Sequence, residues 1–306
     1  MNQSLRRTFN QPLPLRLCGL SLMTCCLAGA LNAADAANEQ AQPKPDKSRY
    51  NLFNPTPRAY LREMSTDRPD QTESAYTVDA GHFQLEMDFV SAVFDRDRSG
   101  GGDARTTVWG IAPLNLKLGL LNNLDVQFVL DSHVYSRVED RVAGTVDKAS
   151  GFGDLQTRLK INLWGNDGGP TALAIMPFVK WPLSASSLRN GRTEGGVMFP
   201  LAVELPRGWS MGLMTEFDFM ANDTGGYRTE FVNSITFSHG LVGNLGGYVE
   251  FFSAVGSAGN ANWQGQADVG FTYAVNDNTQ FDFGCNFGVT KSAPDFNPFI
   301  GLSWRF

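Results

Sequence analysis

The sequence predicts an all-β chain: a transmembrane antiparallel β-barrel of about twelve strands, behind an N-terminal signal peptide and a short extended tail. Three observations predict it. Apolar and polar residues alternate with period 2 in segment after segment, and the connections between those segments are tight and long by turns. Beyond the N-terminal stretch, no segment approaches the ~20 consecutive apolar residues of a membrane helix.

The chain begins with Arg6, Arg7 and Arg16, then an apolar stretch from Leu17 to Leu31, then small residues around Ala28–Ala36. A basic start, a short apolar core and a small-residue exit describe an export signal, with cleavage expected after Ala33 or Ala36. Residues 1–36 are assigned to it. Cys18, Cys25 and Cys26 fall inside it, which leaves Cys285 alone. One thiol forms no internal disulfide, and no Cys/His cluster has zinc spacing, so neither metal nor cofactor is expected.

Residues 37–80 are polar and broken by Pro43, Pro45, Pro55 and Pro57. They read as an extended periplasmic segment, too short for a large separate domain. Within it Asp67, Arg68, Asp70 and Glu73 crowd around Pro69, which stiffens the backbone. The sequence allows two readings: a solvated linker, or a segment that enters the barrel mouth and narrows the pore, where a polar lumen can satisfy its backbone. In the second, Arg68 bridges inward acids, with Glu204, Glu250 and Asp125 as candidates.

Residues 81–306 are the barrel. Phe83, Leu85, Met87 and Phe89 alternate with His82, Gln84, Glu86 and Asp88; Leu124, Val126, Phe128 and Leu130 alternate with Asp125, Gln127 and Asp131. Strands are expected near 82–94, 104–119, 124–137, 153–164, 171–182, 194–206, 208–220, 229–239, 243–255, 262–274, 279–290 and 296–306. Turns such as Leu121–Asn123 and Val275–Asn278 are tight, whereas Asp95–Asp103, Val138–Phe152 and Ser184–Thr193 are longer and polar. The count places both chain ends and Asn166–Gly168 in the periplasm, and Gly100–Gly102 and Asn190–Gly191 outside. Trp109, Trp164, Trp181, Trp209, Trp263, Tyr273 and Trp304 fall near strand ends, where rings suit the lipid–water interface. Pro113, Pro177 and Pro200 require bulges or kinks. The terminal Phe306 resembles the signal read by the barrel-assembly machinery. A soluble β-sandwich would alternate too, but with shorter strands.

With apolar positions toward lipid, the inward acids include Glu86, Asp88, Asp125, Asp131, Asp154, Glu194, Glu204, Glu216, Asp218, Glu230, Glu250, Asp268 and Asp282. The inward bases are Lys117, Arg158, Lys160, Lys180 and Arg305. Such charges are expected to pair, with Arg158 and Lys160 beside Asp125 and Asp131. The net charge of −6 without a basic stripe excludes a nucleic-acid partner. Asp95–Gly100 begins like a calcium loop but has Thr106 at the twelfth position, and Gly151-Phe152-Gly153 enters a strand rather than a helix. Ser132 and His133 are adjacent and so point to opposite faces of a strand; no enzyme activity is expected.

The run Ser65-Thr66-Asp67-Arg68-Pro69-Asp70-Gln71-Thr72-Glu73-Ser74, followed by Tyr76-Thr77-Val78 and Gly81–Glu86, resembles the start of the outer-membrane transporter family named for the meta-cleavage pathway of phenol degradation. Gly151–Asp154 with Arg158 and Lys160, Gly165-Asn166-Asp167, and Glu194-Gly195-Gly196 with Pro200 and Glu204-Leu205-Pro206 resemble its later signatures. The resemblance covers 54–306, with Ala75 standing where the family's run has Pro. It implies a channel in the cell outer membrane of a Gram-negative bacterium for small molecules, with aromatic or hydrophobic compounds as the implied class. The alternatives are a structural or adhesive barrel with a filled lumen, favoured if Phe94, Trp109 and Phe252 face inward, and an outer-membrane hydrolase. The expected partners are outer-membrane lipids, the assembly machinery and a small-molecule substrate. The candidate pore or plug residues are Asp67, Arg68, Asp70, Glu73, Glu86, Asp88, Asp125, Arg158, Lys160, Glu204 and Glu250.

Overall fold

The computed structural model describes residues 46–188, 191–222, 225–257 and 262–306. The expected signal peptide and the expected loop tip at Asn190 lie outside them. Fifteen strand segments form one antiparallel sheet: β1 (Phe83–Asp97), β2 (Ala104–Ile111), β3 (Leu114–Leu121), β4 (Leu124–Leu130), β5 (His133–Asp140), β6 (Thr145–Gly151), β7 (Leu155–Trp164), β8 (Thr171–Trp181), β9 (Glu194–Leu205), β10 (Trp209–Ala221), β11 (Tyr227–Val242), β12 (Leu245–Gly256), β13 (Trp263–Asn276), β14 (Thr279–Gly288) and β15 (Phe296–Arg305). Pairing of β15 with β1, from Gln84↔Arg305 to Phe94↔Phe296, closes the sheet into a barrel.

Twelve strands cross, because β2/β3, β4/β5 and β6/β7 are each one strand with a break. The first break is at Ala112-Pro113, where Ala112 takes a left-handed φ of 52° and Pro113 lacks an N–H for the ladder. The stretch Val138–Phe152, expected as a long loop, is instead a hairpin extension in which Asp140 pairs with Thr145 across a short turn. Its polar composition concealed it: Asp147, Lys148 and Ser150 leave no apolar face to read. Segment β6 is bonded to β5 on one side; on its other side Ala185 N–H donates to Phe152 O at 3.0 Å and Ser187 Oγ donates to Ser150 O at 2.9 Å.

Pro177 and Pro200 lie inside continuous strands, with the ladder interrupted beside them. Pairing passes from Arg158↔Phe178 to Ile161↔Ile175 next to Pro177, and from Leu173↔Leu201 to Met176↔Met198 next to Pro200. A bulge between Asp88 and Val90 turns the alternation of β1. Phe94 therefore packs outside on Trp109 (5.8 Å) and Phe296 (6.1 Å), which removes Phe94 and Trp109 from the lumen-facing set. Phe252 does face inward.

Burial is inverted relative to a soluble protein. Phe83, Phe128, Val249, Phe251, Phe281, Phe283 and Ile300 are exposed on the outer wall, while Lys117, Lys160, Gln127, Asp125 and Asp282 are buried inside. Lipid completes the outer packing. Trp164, Trp209, Tyr273 and Trp304 are exposed at one end of the barrel and Trp181 and Trp263 at the other, as two aromatic belts require.

The closing seam rests on the last residue. Phe306 N–H donates to Phe83 O at 2.9 Å, and the Phe83 N–H donates to Phe306 O at 3.1 Å. The Phe306 ring stacks on Phe83 (5.5 Å) and leans on Trp304 (4.6 Å). Each aromatic contact contributes about 0.5–1.5 kcal/mol. Deletion of Phe306, or Phe306→Asp, is expected to lower the heat-modifiable folded fraction in outer membranes on a gel assay. Unchanged folded yield would show that the seam closes without it.

Candidate functional site

Residues 46–82 fill much of the lumen as a plug entering from the side of the tight turns. Leu52 N–H donates to Leu120 O (2.9 Å) and Gly81 N–H to Gly119 O (2.8 Å), which holds both limbs at the mouth on the side of the tight turns. Gly119 is required there, since a Cβ would overlap the Asp79 backbone carbonyl. Arg62 staples the limbs: its guanidinium donates to Thr77 O (2.7 Å), Asn122 Oδ1 (2.6 Å) and Asp167 Oδ1 (3.2 Å). Burial alone would raise the Asp167 carboxyl, but the Asn122 amide, Lys47 and Arg62 hold it below the ordinary carboxylate range.

The deep part, Thr66–Glu73, is gripped from the wall. Asp67 lies between two lysines, ion-paired with Lys117 and with Lys160 at 2.6 Å, while its N–H donates to Glu86 Oε2 at 3.0 Å. Arg68 bridges Asp88 (2.5 Å) and Asp282 (2.6 Å) and lies over the Phe299 ring at 5.7 Å. It can do so because Gly301 is bare: a Cβ there would overlap the guanidinium. Gln71 N–H donates to Glu250 Oε2 (2.8 Å), Thr72 Oγ1 donates to Glu250 Oε1 (2.5 Å), and Glu73 pairs with Arg158 (2.5 Å). On the return limb, Val78 N–H donates to Asp125 Oδ2 (2.9 Å) and Asn162 Nδ2 donates to Ala75 O (2.8 Å).

These grips, together with the hydrogen bonds of Thr72 with Ser234 and of the Gln71 amide to Gln266 and Asp268, come from β1, β3, β4, β7 and β11–β14. Strands β8–β10 supply none of them. On the lumen side, β8–β12 carry an apolar patch instead: Met176, Phe178, Met198, Met214, Val232 and Ala254, with Phe252 packed on it. No plug residue belongs to this patch. Below it the plug's Ala75 and Tyr76 touch Ala172, Ala174 and Ala202 in a seam of small side chains. A cavity of about 280 Å³ lies above the seam, between the patch and the plug's Gln71 and Glu73. A larger one, about 990 Å³, lies below it between plug residues 59–76 and the lower ends of β9–β12.

The sequence model of the family described as "Putative MetA-pathway of phenol degradation" matches residues 66–306, beginning inside the plug and ending at Phe306. The chain belongs to that family. Among solved structures, the COG4313 outer membrane channel from Pseudomonas putida F1 shares 14% identity at a TM-score of 0.58, covering 79% of this chain and 100% of that one. The NanC porin (10% identity, TM-score 0.47, 72% and 98% covered) and the CymD monoaromatic hydrocarbon channel (12%, 0.42, 73% and 87%) are more distant. No curated protein matches the sequence. The fold is that of outer-membrane barrels, and the MetA-pathway chain is an outer-membrane protein.

The structure gathers most of the residues singled out from sequence, with three corrections. Arg68 bridges Asp88 and Asp282, not Glu204, Glu250 or Asp125; the last two instead accept backbone N–H groups of the plug. Glu204 stays at the wall of the lower cavity, where Ser210 Oγ donates to it at 3.3 Å. Arg158 and Lys160 form their ion pairs with plug acids Glu73 and Asp67 rather than with Asp125 and Asp131. Asp70 sits beside Glu250 and hydrogen-bonds Thr236. Lys117 and Asp282, read from the sequence only as inward charges, also grip the plug, as does Tyr248, whose hydroxyl donates to Pro69 O at 3.3 Å; on the plug itself Gln71 and Thr72 make contacts and were not among the candidates. Uncharged Gln71 and Thr72 offered no charge signal, and the plug's depth cannot be read from strand periodicity.

Proposed function

We propose that this MetA-pathway family barrel is a channel for small apolar or aromatic molecules, which pass between the plug and the wall of β8–β10. The observation that carries this reading is the Met176–Phe178–Met198–Met214 patch facing the lumen of a membrane barrel. Apolar side chains there gain nothing from lipid, and contiguous apolar surface beside a cavity marks a binding path. Methionines suit such a path because their flexible, polarisable side chains repack around differently shaped solutes. The polar half of the wall fixes the plug through charged hydrogen bonds, whereas the alanine seam contributes only small apolar contacts. The seam is therefore the part that opens. The two cavities leave space beside the plug, unlike a structural barrel with a filled lumen.

The test is flux in vesicles whose outer leaflet is lipopolysaccharide, which slows apolar solutes by itself. Purified barrel is expected to speed entry of radiolabelled 2-phenylethanol, and Met198→Asp with Met214→Asp to reduce that gain with unchanged folded yield. Entry at the protein-free rate in wild type would overturn the proposal.

A further inference from the structure

The upper cavity is not uniformly apolar. Glu216 pairs in register with Met198 on one side and Val232 on the other, which sets a carboxylate inside the apolar patch. Its side chain is nine-tenths buried and lines the cavity. Asp218 follows two residues later on the same face, and its Oδ1 is buried with no hydrogen-bond partner. The bases around the cavity are already engaged: Arg158 is ion-paired with Glu73 and Lys180 with Glu194. Above them β11 adds one base and one acid, Arg228 and Glu230, which cancel. Glu216 and Asp218 hydrogen-bond each other, and among the described residues neither forms an ion pair with a base, so this carboxyl pair lies against an apolar wall without a counter-ion.

We infer that this upper cavity is a binding site for small hydrophobic cations: an ammonium group seated on Glu216 and Asp218, with an aromatic or aliphatic body against Met198, Met214, Phe178 and Phe252. A buried carboxylate without a counter-ion is costly, and a ligand ammonium supplies what the protein leaves out. Phe178 and Phe252 line the same cavity, and an aromatic ring attracts a cation over its face. The cavity volume of about 280 Å³ suits one monoaromatic-sized molecule. This inference rests on the proposed apolar route and names the charge class that the route prefers.

The test is calorimetric binding to the full barrel in zwitterionic lipid nanodiscs, with empty discs subtracted. Three probes share one ring: 2-phenylethylammonium, 2-phenylethanol and phenylacetate. Wild type is expected to bind the ammonium about tenfold or more tighter than the alcohol, and phenylacetate weakest. Glu216→Gln with Asp218→Asn is expected to abolish the preference and leave alcohol binding unchanged; both are near-isosteric, and heat-modifiability checks the fold. Equal binding of ammonium and alcohol in wild type, or a preference retained in the amide variant, overturns the cation site and leaves the apolar route standing. No binding of any probe overturns both.

Discussion

Deleting Thr66–Glu73 is expected to raise single-channel conductance in planar bilayers several-fold, with the folded barrel intact. The segment crosses the lumen and touches wall residues on β1, β3, β7, β11, β12 and β14. The wall does not depend on it for closure, because every strand is paired along the sheet and β15 pairs with β1. Lys117, Lys160, Asp88 and Asp282 would then face water rather than the plug, which removes the constriction without leaving them dry. Conductance equal to wild type at equal folded yield would mean that the plug does not limit the pore.

The second large effect belongs to Asp67 alone. Lys160 is fully buried, and its ion pair is with Asp67. Asp67→Ala removes that partner and leaves an ammonium under the docked plug, a defect that costs about 3–5 kcal/mol in buried pairs. Lys117 keeps Glu86, so the loss concentrates on Lys160. The plug is expected to undock, with conductance rising toward that of the deletion. Adding Lys160→Met removes the stranded charge and is expected to restore most of the low conductance. If the double variant conducts as much as Asp67→Ala, the Asp67–Lys160 pair is not what seats the plug.

The barrel was legible because period-2 alternation survives wherever one face meets lipid and the other a polar lumen, as at Phe281–Phe287 and Phe83–Phe89. The same rule conceals the route. On β8 the inward set Ala172, Ala174, Met176 and Phe178 is as apolar as the outward Leu173, Ile175 and Val179, so the strand reads as a plain apolar run. The clue was present in phase: Met176, Met198 and Met214 fall on positions where other strands carry charge or amide. The plug's polar character was readable from Asp67, Arg68, Asp70 and Glu73. Its partners were not, because an ion pair such as Arg68–Asp282 joins residues far apart in sequence and depends on the closed circumference.

Passage of solute along the alanine seam is tested most directly by locking it. Ala75 and Ala174 meet there, since Asn162 Nδ2 donates to Ala75 O while Asn162 pairs with Ala174. A short thiol cross-link between Ala75→Cys and Ala174→Cys, in a Cys285→Ser background, is expected to stop 2-phenylethanol flux, and cleaving the linker to restore it. The same linker on the polar side, between Ser65→Cys and Gln84→Cys, is expected to leave flux unchanged. Undiminished flux with the Ala75–Ala174 link closed would contradict a route between the plug and β8–β10.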